Sequence, residues 1–382
     1  MFFTGRASLP PEREADAGLL KSLELYDSDR LCIAKATCAE LARMTVNEFT
    51  AEQTGDGQKS PALGDFLAGL KRTAEMLCKY GEVVIKPYYS PGGIREETLD
   101  PFRYKVTETD GDGNPSGGEF TSLHKVGKKT YIRIERHTRC GNGYLIENTF
   151  RVKDNESGRI SPAKAEDVRE WKDIRPATYI ENLRKPLFTR ISLCSETGGK
   201  SSPVFRRGEE LIREADRQLE RLIWEYEGGE LAVDASEDAF RVGRNGRPEL
   251  PSGKERLWRT NCLDACSSQN ELLKIFAPGL RDGNYIKGLD RLLMHYEDAV
   301  GLSRGTFSEL HNEMRTASEV RAGRERTLSL CADIRRELIK GLHGVIEDRN
   351  AMNALYGFGR NALTVTLGDG IIDGKEKVIT IG

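Results

Sequence analysis

Long apolar runs, an excess of either charge and metal-binding motifs are all missing from this 382-residue chain. No stretch approaches the roughly 20 consecutive apolar residues that span a bilayer, so we expect no membrane partner. The first 16 residues have no apolar core, and we expect no secretory signal peptide. Lys and Arg total 58 and Asp and Glu total 60, a net charge of −2. This balance argues against tight nucleic-acid binding but allows a protein that lets DNA move past it.

Cysteine and histidine are present without the spacing of a metal site. None of the eight cysteines forms C-x-x-C, and no histidine lies near Cys262 and Cys266 to complete a zinc site. Most cysteines lie in apolar stretches, which indicates a reducing compartment. The five histidines, at 124, 137, 295, 311 and 343, show no metal or triad spacing. We expect no metal, no cofactor and no nucleic-acid-modifying chemistry.

One segment, CSETGGKS at 194–201, partly matches the phosphate loop G-x-x-x-x-G-K-[ST]. Gly199, Lys200 and Ser201 fit its second half, but Cys194 stands where the first glycine makes the tight turn. Pro203 also restricts the residue before it away from helical geometry. We interpret the segment as a flexible connector. The alternative is a nucleotide-hydrolysing enzyme that uses residues 194–201.

Helical periodicity predicts five helices. The first begins at a cap, Ser28 or Asp29, and the second ends at Gly81. The third has an apolar stripe of Leu211, Ala215, Leu219, Leu222 and Tyr226 and mixed charges on its other face. The last begins at Thr316-Ala317-Ser318-Glu319, which fits a capping box. The predicted helices are 28–49, 61–80, 205–227, 282–300 and 316–350.

Strand patterns and turns alternate over 82–153 and predict an antiparallel meander. Residues 110–114, DGDGN, fit a hairpin turn better than a calcium loop, because Pro115 and Thr121 occupy the positions that need Gly and Glu. Residues 51–60 form a polar linker, 154–204 a mostly irregular segment, 230–270 a small separate module, and 361–382 strands. The fold class is therefore α+β. From Phe240 to Arg259 six basic and two acidic residues give a local net charge of +4.

The order of these elements resembles that of tailed-bacteriophage portal proteins, in particular those of long-tailed phages of Gram-positive hosts. READRQLERLIWEYEGGELAVD, at 213–234, resembles their first stem helix and the start of the clip. FAPGLRDGNYIKGLDRLLMHYEDAVGLSRGTF, at 276–307, resembles the second stem helix. RTASEV, at 315–320, is similar to the T-A-[TS]-E-V signature of Thr316, Ala317, Ser318, Glu319 and Val320 that opens the long helix. SDRLCIAKATCAELARMTVNEF and YGEVVIKPYYS resemble the opening of the wing.

The resemblance implies a domain plan. It comprises a wing at 1–204, a first stem helix at 205–229, a clip at 230–270 and a second stem helix at 271–302. A tunnel loop at 303–315, a long wing helix at 316–360 and C-terminal strands at 361–382 follow. Family members carry a longer C-terminal helical crown, so we expect the crown to be short or absent here.

The resemblance also implies a function without enzymatic activity. Portals form rings, typically of twelve copies, at one capsid vertex, and double-stranded DNA is packaged and ejected through the channel. The expected partners are other copies of the chain, the terminase large subunit, the head–tail adaptor and the major capsid or scaffolding protein. The expected location is the virion, after assembly in the host cytoplasm. Ordinary solvated side chains are the alternative for each residue of two candidate sets: the tunnel-loop residues Arg304, His311 and Arg315, and the clip residues Arg241, Arg244, Arg247, Lys254, Arg256 and Arg259.

Overall fold

The computed structural model describes most of the chain and divides it into two compact units. Unit 1 comprises Met1–Glu209, Asp298–Ser303 and Asn312–Gly382, and unit 2 comprises Glu210–Glu297 and Arg304–His311. The described residues are 17–47, 49–54, 61–91, 93–111, 113–193, 201–236, 241, 243, 249, 258–261, 273–309, 317–367 and 377–382.

The elements mix helices and antiparallel sheets, which confirms the α+β class. The helices are α1 Ala17–Ser28, α2 Ile33–Val46, α3 Pro61–Ala68, α4 Leu70–Tyr80, α5 Glu209–Gly228, α6 Asp282–Val300 and α7 Ala317–Tyr356. The strands are β1 Phe49–Thr54, β2 Glu82–Ser90, β3 Gly93–Leu99, β4 Tyr104–Thr109, β5 Pro115–Val126, β6 Lys129–Cys140, β7 Gly143–Asp154, β8 Ile160–Pro162, β9 Ala177–Ile180, β10 Thr189–Ser192, β11 Ala232–Ser236, β12 Trp258–Asn261, β13 Leu273–Phe276, β14 Ala362–Leu367 and β15 Lys377–Ile381.

The first predicted helix is two helices, so the prediction of one helix over 28–49 is wrong. Ser28 ends α1, and Cys32 takes a left-handed backbone conformation (φ 54°) that interrupts the helical path before α2. The buried carboxylate of Asp29 accepts the N–H of Ala34 at 2.8 Å, so Asp29 does satisfy a donor at the start of α2. Similarly, Gly69 separates α3 from α4 within the predicted helix 61–80.

The end of α4 at Gly81 is confirmed. Gly81 has φ +79°, and its N–H donates to the carbonyl of Leu77 at 2.8 Å. A Cβ atom at this position would lie 2.4 Å from the carbonyl oxygen of Ser202. Only glycine therefore fits both the turn and the close approach of the chain.

The predicted meander is confirmed over 104–154, where β4 to β7 pair in sequence order and β8 and β9 add to β7. β2 belongs to a different sheet, in the order β10-β2-β3. The strand β3 lay within the predicted meander but was not identified by its pattern, because GIREETL buries only Ile94 and Leu99. The short strands β8, β9 and β10 correct the prediction that 154–204 is mostly irregular.

The predicted C-terminal strands are confirmed as β14 and β15, and they pair with β1 in the order β1-β14-β15. Residues 51–54 are therefore part of an edge strand and not a linker. Phe49, Leu363, Val365 and Ile381 pack with Leu342 and Ile346 of α7 in one buried cluster. A polar edge strand whose partner lies more than 300 residues away has no local pattern that identifies it.

The long helix α7 packs closely on the wing strands. A Cβ at Gly341 would lie 2.2 Å from Ile191, and one at Gly344 would lie 2.5 Å from the hydroxyl of Thr189. Arg349 is 1 % exposed; its guanidinium donates to the carbonyl of Ile94 and to Asn361 Oδ1, both at 2.9 Å, and pairs with Glu96. Arg349 thus holds α7, β3 and the turn before β14 together.

We predict that Arg349→Met strongly destabilises unit 1. Burial raises the pKa of Glu96, and Arg349 is the charge that opposes this shift. Removing one partner of a buried pair leaves an uncompensated charge and costs about 3–5 kcal/mol. Urea unfolding measures this loss. The double variant Glu96→Gln/Arg349→Met should recover part of it, and a single variant as stable as the wild type contradicts the assignment.

A second prediction concerns Asp348, whose carboxylate accepts the hydroxyl of Thr189 at 2.7 Å. Burial raises the pKa of Asp348 to about 7. The folded state therefore binds this proton more tightly than the unfolded state, and the resulting stability is lost as pH rises from about 4 to about 7. Above that range the charged carboxylate costs up to about 4 kcal/mol. Asp348→Asn, which keeps an acceptor for Thr189, should be more stable than wild type at pH 8 and equally stable at pH 4, measured by thermal unfolding.

Candidate functional site

Only part of each predicted residue set lies within the described residues. Arg304 is described and exposed, whereas His311, Arg315 and Thr316 lie outside. Residues 317–320 form the first turn of α7, as predicted, but their side chains are outside the described part, so the capping box stays a prediction. In the clip set, Arg241 is exposed and Arg259 lies on β12 opposite Asp234. Arg244, Arg247, Lys254 and Arg256 lie outside.

Arg304 begins a loop, residues 304–309, that follows α6. The helix has the predicted bounds and ends at Gly301, whose φ is +88°. Within unit 2 the loop is tied to α6 by a single carboxylate, Glu297. Its Oε1 accepts the N–H of Phe307 at 2.5 Å and of Ser308 at 2.9 Å. Its Oε2 accepts the N–H of Gly305 at 3.1 Å and the hydroxyl of Ser308 at 2.8 Å.

Glu297 is fully buried, and its four donors come from one short stretch of loop. A carboxylate removed from water is tolerated when all of its lone pairs are used, and hydrogen bonds to a charged group are stronger than neutral ones. Two further contacts support the loop: Asp290 accepts the N–H of Glu309 at 2.7 Å, and the rings of Tyr296 and Phe307 meet edge-on at 6.0 Å. The loop therefore has one defined backbone conformation, which presents Arg304 to solvent.

Glu297 was not among the predicted site residues, although the sequence holds a signal for it. The predicted apolar stripe of α6 passes through Leu293, Tyr296 and Val300, and Glu297 is four residues after Leu293 on the same face. An acidic residue on a buried helical face needs donors, and the following Gly-Thr-Phe-Ser loop is the nearest source of backbone donors.

Unit 2 also exposes an unusual amount of apolar side chain. Trp224 is 65 % exposed and Ile275 is 70 % exposed. The backbone brings most of these residues together at the end of α5, because Ala232 pairs with Phe276 and a Cβ at Gly229 would lie 2.2 Å from Leu280. We call this set the apolar surface of unit 2; it comprises Ile223, Trp224, Tyr226, Leu231, Ile275, Phe276, Leu280 and Ile286.

The predicted buried stripe of α5 is therefore only partly right. Ala215 is buried, but the fully buried residue near the helix start is Ile212 and not Leu211. At the other end Tyr226 is 42 % exposed, and the buried residue beside it is Glu225. Glu225 accepts the backbone N–H and the guanidinium of Arg281 at 2.7–3.1 Å, and these bonds lower the pKa of Glu225. The second half of α5 thus buries an ion pair and exposes its aromatic rings.

Ser201, the described end of the partial phosphate-loop match, is already engaged. Its hydroxyl donates to the carboxylate of Glu82 at 2.9 Å and lies 2.5 Å from the hydroxyl of Ser192. In a phosphate loop this hydroxyl binds magnesium, and a helix begins at the lysine. Here α5 begins at Glu209, after a short 3₁₀ turn at Arg206–Gly208. Cys194 to Lys200 lie outside the described residues.

His137 was interpreted as a surface or strand residue; it lies on β6, but it is buried. One ring nitrogen lies 2.7 Å from Glu135 Oε1, and Lys86 donates to Glu135 Oε2 at 2.7 Å. Burial lowers the pKa of His137. The cluster is enclosed by Phe120 and Phe188, so we assign it to the packing of the wing. Among the described residues no group of three or more His, Cys, Asp and Glu is arranged to hold a metal ion. No described helix has the length and apolar character that a membrane span requires.

Comparison with known proteins gives solved structures alone. No protein-family model matches the chain, and no curated protein matches it. The chain is similar to a chain of the virion of the native gene transfer agent (GTA) particle, with a TM-score of 0.40 and 10 % identity over 88 % of this chain and 89 % of that one. It is also similar to chains of two GTA necks. The neck of the native particle, computed with C12 symmetry, gives a TM-score of 0.38 and 11 % identity over 90 % and 84 % of the two chains. The neck of the empty particle, computed with C6 symmetry, gives 0.41 and 11 % over 86 % and 82 %.

We predict that Glu297→Gln loosens the loop without unfolding the chain. A glutamine must turn its NH₂ group toward backbone N–H donors, and each charged hydrogen bond lost is worth about 1.5–3 kcal/mol. Amide hydrogen exchange at Gly305, Phe307 and Ser308 should become about tenfold faster or more. The matched control is Glu227→Gln, an exposed glutamate of the same unit. Unchanged protection in the Glu297 variant would contradict the role assigned to this carboxylate.

Proposed function

We propose that the chain is the subunit of a phage portal, a ring of identical copies around a channel through which double-stranded DNA is packaged and ejected. The observation that carries the proposal is the apolar surface of unit 2. Soluble monomers rarely expose large contiguous apolar patches, and such patches mark surfaces that another chain covers. Eight large apolar side chains in a unit of this size need a partner, and the order of elements favours a second copy of the same chain.

A ring follows if the covered surface of one copy meets a different surface of the next. Such head-to-tail contacts close into a ring when the rotation between copies fits. The charged face of α5 does not need a partner to balance its charges, since Arg213 pairs with Glu210 and Arg217 with Glu214 along the helix. Surface pairs of this kind contribute little to stability. Apolar burial is therefore the main driving force for assembly.

The channel itself must bind DNA weakly. Each phosphate contact made by a cation releases counterions and strengthens binding, so a strongly basic wall would hold the duplex in place. A net charge of −2 fits a wall along which DNA slides. We propose that the loop 304–309 faces the channel and that Arg304, together with His311 and Arg315, makes brief phosphate contacts. Glu297 would then keep the loop in the same conformation in every copy.

We further propose that the portal contacts the terminase large subunit and then the head–tail adaptor through the clip arginines and Lys254. It would contact the major capsid or scaffolding protein through its outer side. Its location would be the virion vertex, after assembly in the host cytoplasm. The chain would act without enzymatic activity, and the engaged hydroxyl of Ser201 disfavours the alternative of a nucleotide-hydrolysing enzyme.

We predict that Trp224→Arg reduces assembly. A buried charge at the centre of an apolar contact is unfavourable, and central aromatic residues dominate binding energy, often by 2 kcal/mol or more. Analytical ultracentrifugation should show large particles for wild type and mainly small species for the variant at the same concentration. The matched control is Leu123→Arg, an exposed apolar residue of unit 1, which should assemble normally. A monomeric wild type, or equal assembly of the Trp224 variant, counts against the proposal.

A further inference from the structure

A cleft of about 280 Å³ lies in unit 1, away from the loop and the apolar surface described above. One wall is the turn between β4 and β5, with Asn114 and Ser116. Another is formed by Arg139 at the end of β6 and by the segment from Arg184 to Arg190, and the floor includes Asp348 of α7. Nothing in the proposed function uses this cleft.

The cationic side chains of the cleft are of two kinds. Lys185 pairs with Glu347 at 2.6 Å, and the Nε of Arg190 donates to Glu82 at 2.9 Å, so both are neutralised. Arg139 and Arg184 are exposed and make no ion pair with any described carboxylate. Two guanidinium groups at one cleft therefore lack acidic partners within the described part of the chain.

The remaining acidic groups offset this charge only in part. Asp110 uses its carboxylate inside its own turn, where Oδ1 accepts the N–H of Asn114 at 2.8 Å. Asp348 is bound to the Thr189 hydroxyl, and burial raises its pKa to about 7, so at neutral pH it is ionised in only part of the molecules. The charges facing Asp348 are Glu347 on its own helix and Lys185, Arg184 and Arg190 from the opposite segment. The cleft as a whole keeps an excess of positive charge.

We propose that this cleft binds a small tetrahedral oxyanion of the phosphate class between the guanidinium groups of Arg139 and Arg184. Guanidinium presents parallel N–H donors that match two oxygens of such an anion. The hydroxyl of Ser116 and the side-chain amide of Asn114 supply further donors at the rim. The volume suits one small anion with its water and is too small for a duplex, so this site is distinct from any DNA path.

The test uses sulfate as the probe, because sulfate has the same shape as phosphate and does not titrate near neutral pH. Isothermal titration of the full chain in chloride buffer should detect binding. Arg139→Gln and Arg184→Gln should each weaken it about tenfold or more, a change that calorimetry resolves. Both residues are exposed, so both variants should fold, as circular dichroism can verify. The matched control is Arg360→Gln, an exposed arginine of unit 1 outside the cleft, with unchanged affinity.

A pH series adds a readout that a nonspecific cationic surface would not give. Ionised Asp348 places a negative charge in the cleft, so sulfate should bind several-fold more weakly at about pH 8.5 than at about pH 6. Asp348→Asn should flatten this dependence. Three outcomes overturn the proposal: no binding at millimolar sulfate, equal binding in the double arginine variant, or acetate binding as tightly as sulfate, which would indicate a general carboxylate site.

Discussion

The constraint on which the account depends is the solvent exposure of large apolar side chains in unit 2. In the single chain Trp224, Ile275 and their neighbours remain uncovered, although α5 carries them on a regular helix beside a sheet. Burial of apolar area gives about 25 cal/mol per Å², so leaving this surface in water costs several kcal/mol that a neighbouring copy would recover. The unit is thus incomplete by itself in the same sense as one repeat of a larger assembly.

In unit 1, by contrast, polar contacts fix the long-range connections that apolar packing alone does not specify. The buried guanidinium of Arg349 bonds to three separate segments, and the Asp348–Thr189 pair sits where glycines let α7 approach β10. Arg335 donates to the last carbonyls of α2 at 3.0 and 3.2 Å, so the same helix also orders the N-terminal part of the wing. One long helix therefore organises elements that are up to about 300 residues apart in sequence.

The sequence predicted elements whose signals are local. The helix α6 has a regular apolar stripe and a terminal glycine, and its predicted bounds are right. Residues 104–154 alternate clearly between turns, and their pairing order follows from that alternation. The strands β1 and β3 were missed because each contains several charged or polar residues whose partners come from α7 or β14. The stripe of α5 was misplaced because helical periodicity identifies an apolar face but not whether the same chain covers it.

The same distinction applies to the site. The loop after α6 and Arg304 could be located from the sequence, but the carboxylate that fixes the loop could be recognised only when four donors were seen around it. The most direct test of the central claim is electron microscopy of the purified wild-type chain with averaging of single particles. The account predicts rings of one copy number, with a central opening wide enough for duplex DNA and with unit 2 at the contacts between copies. A population of single chains at micromolar concentration, with Trp224 still exposed, would contradict it.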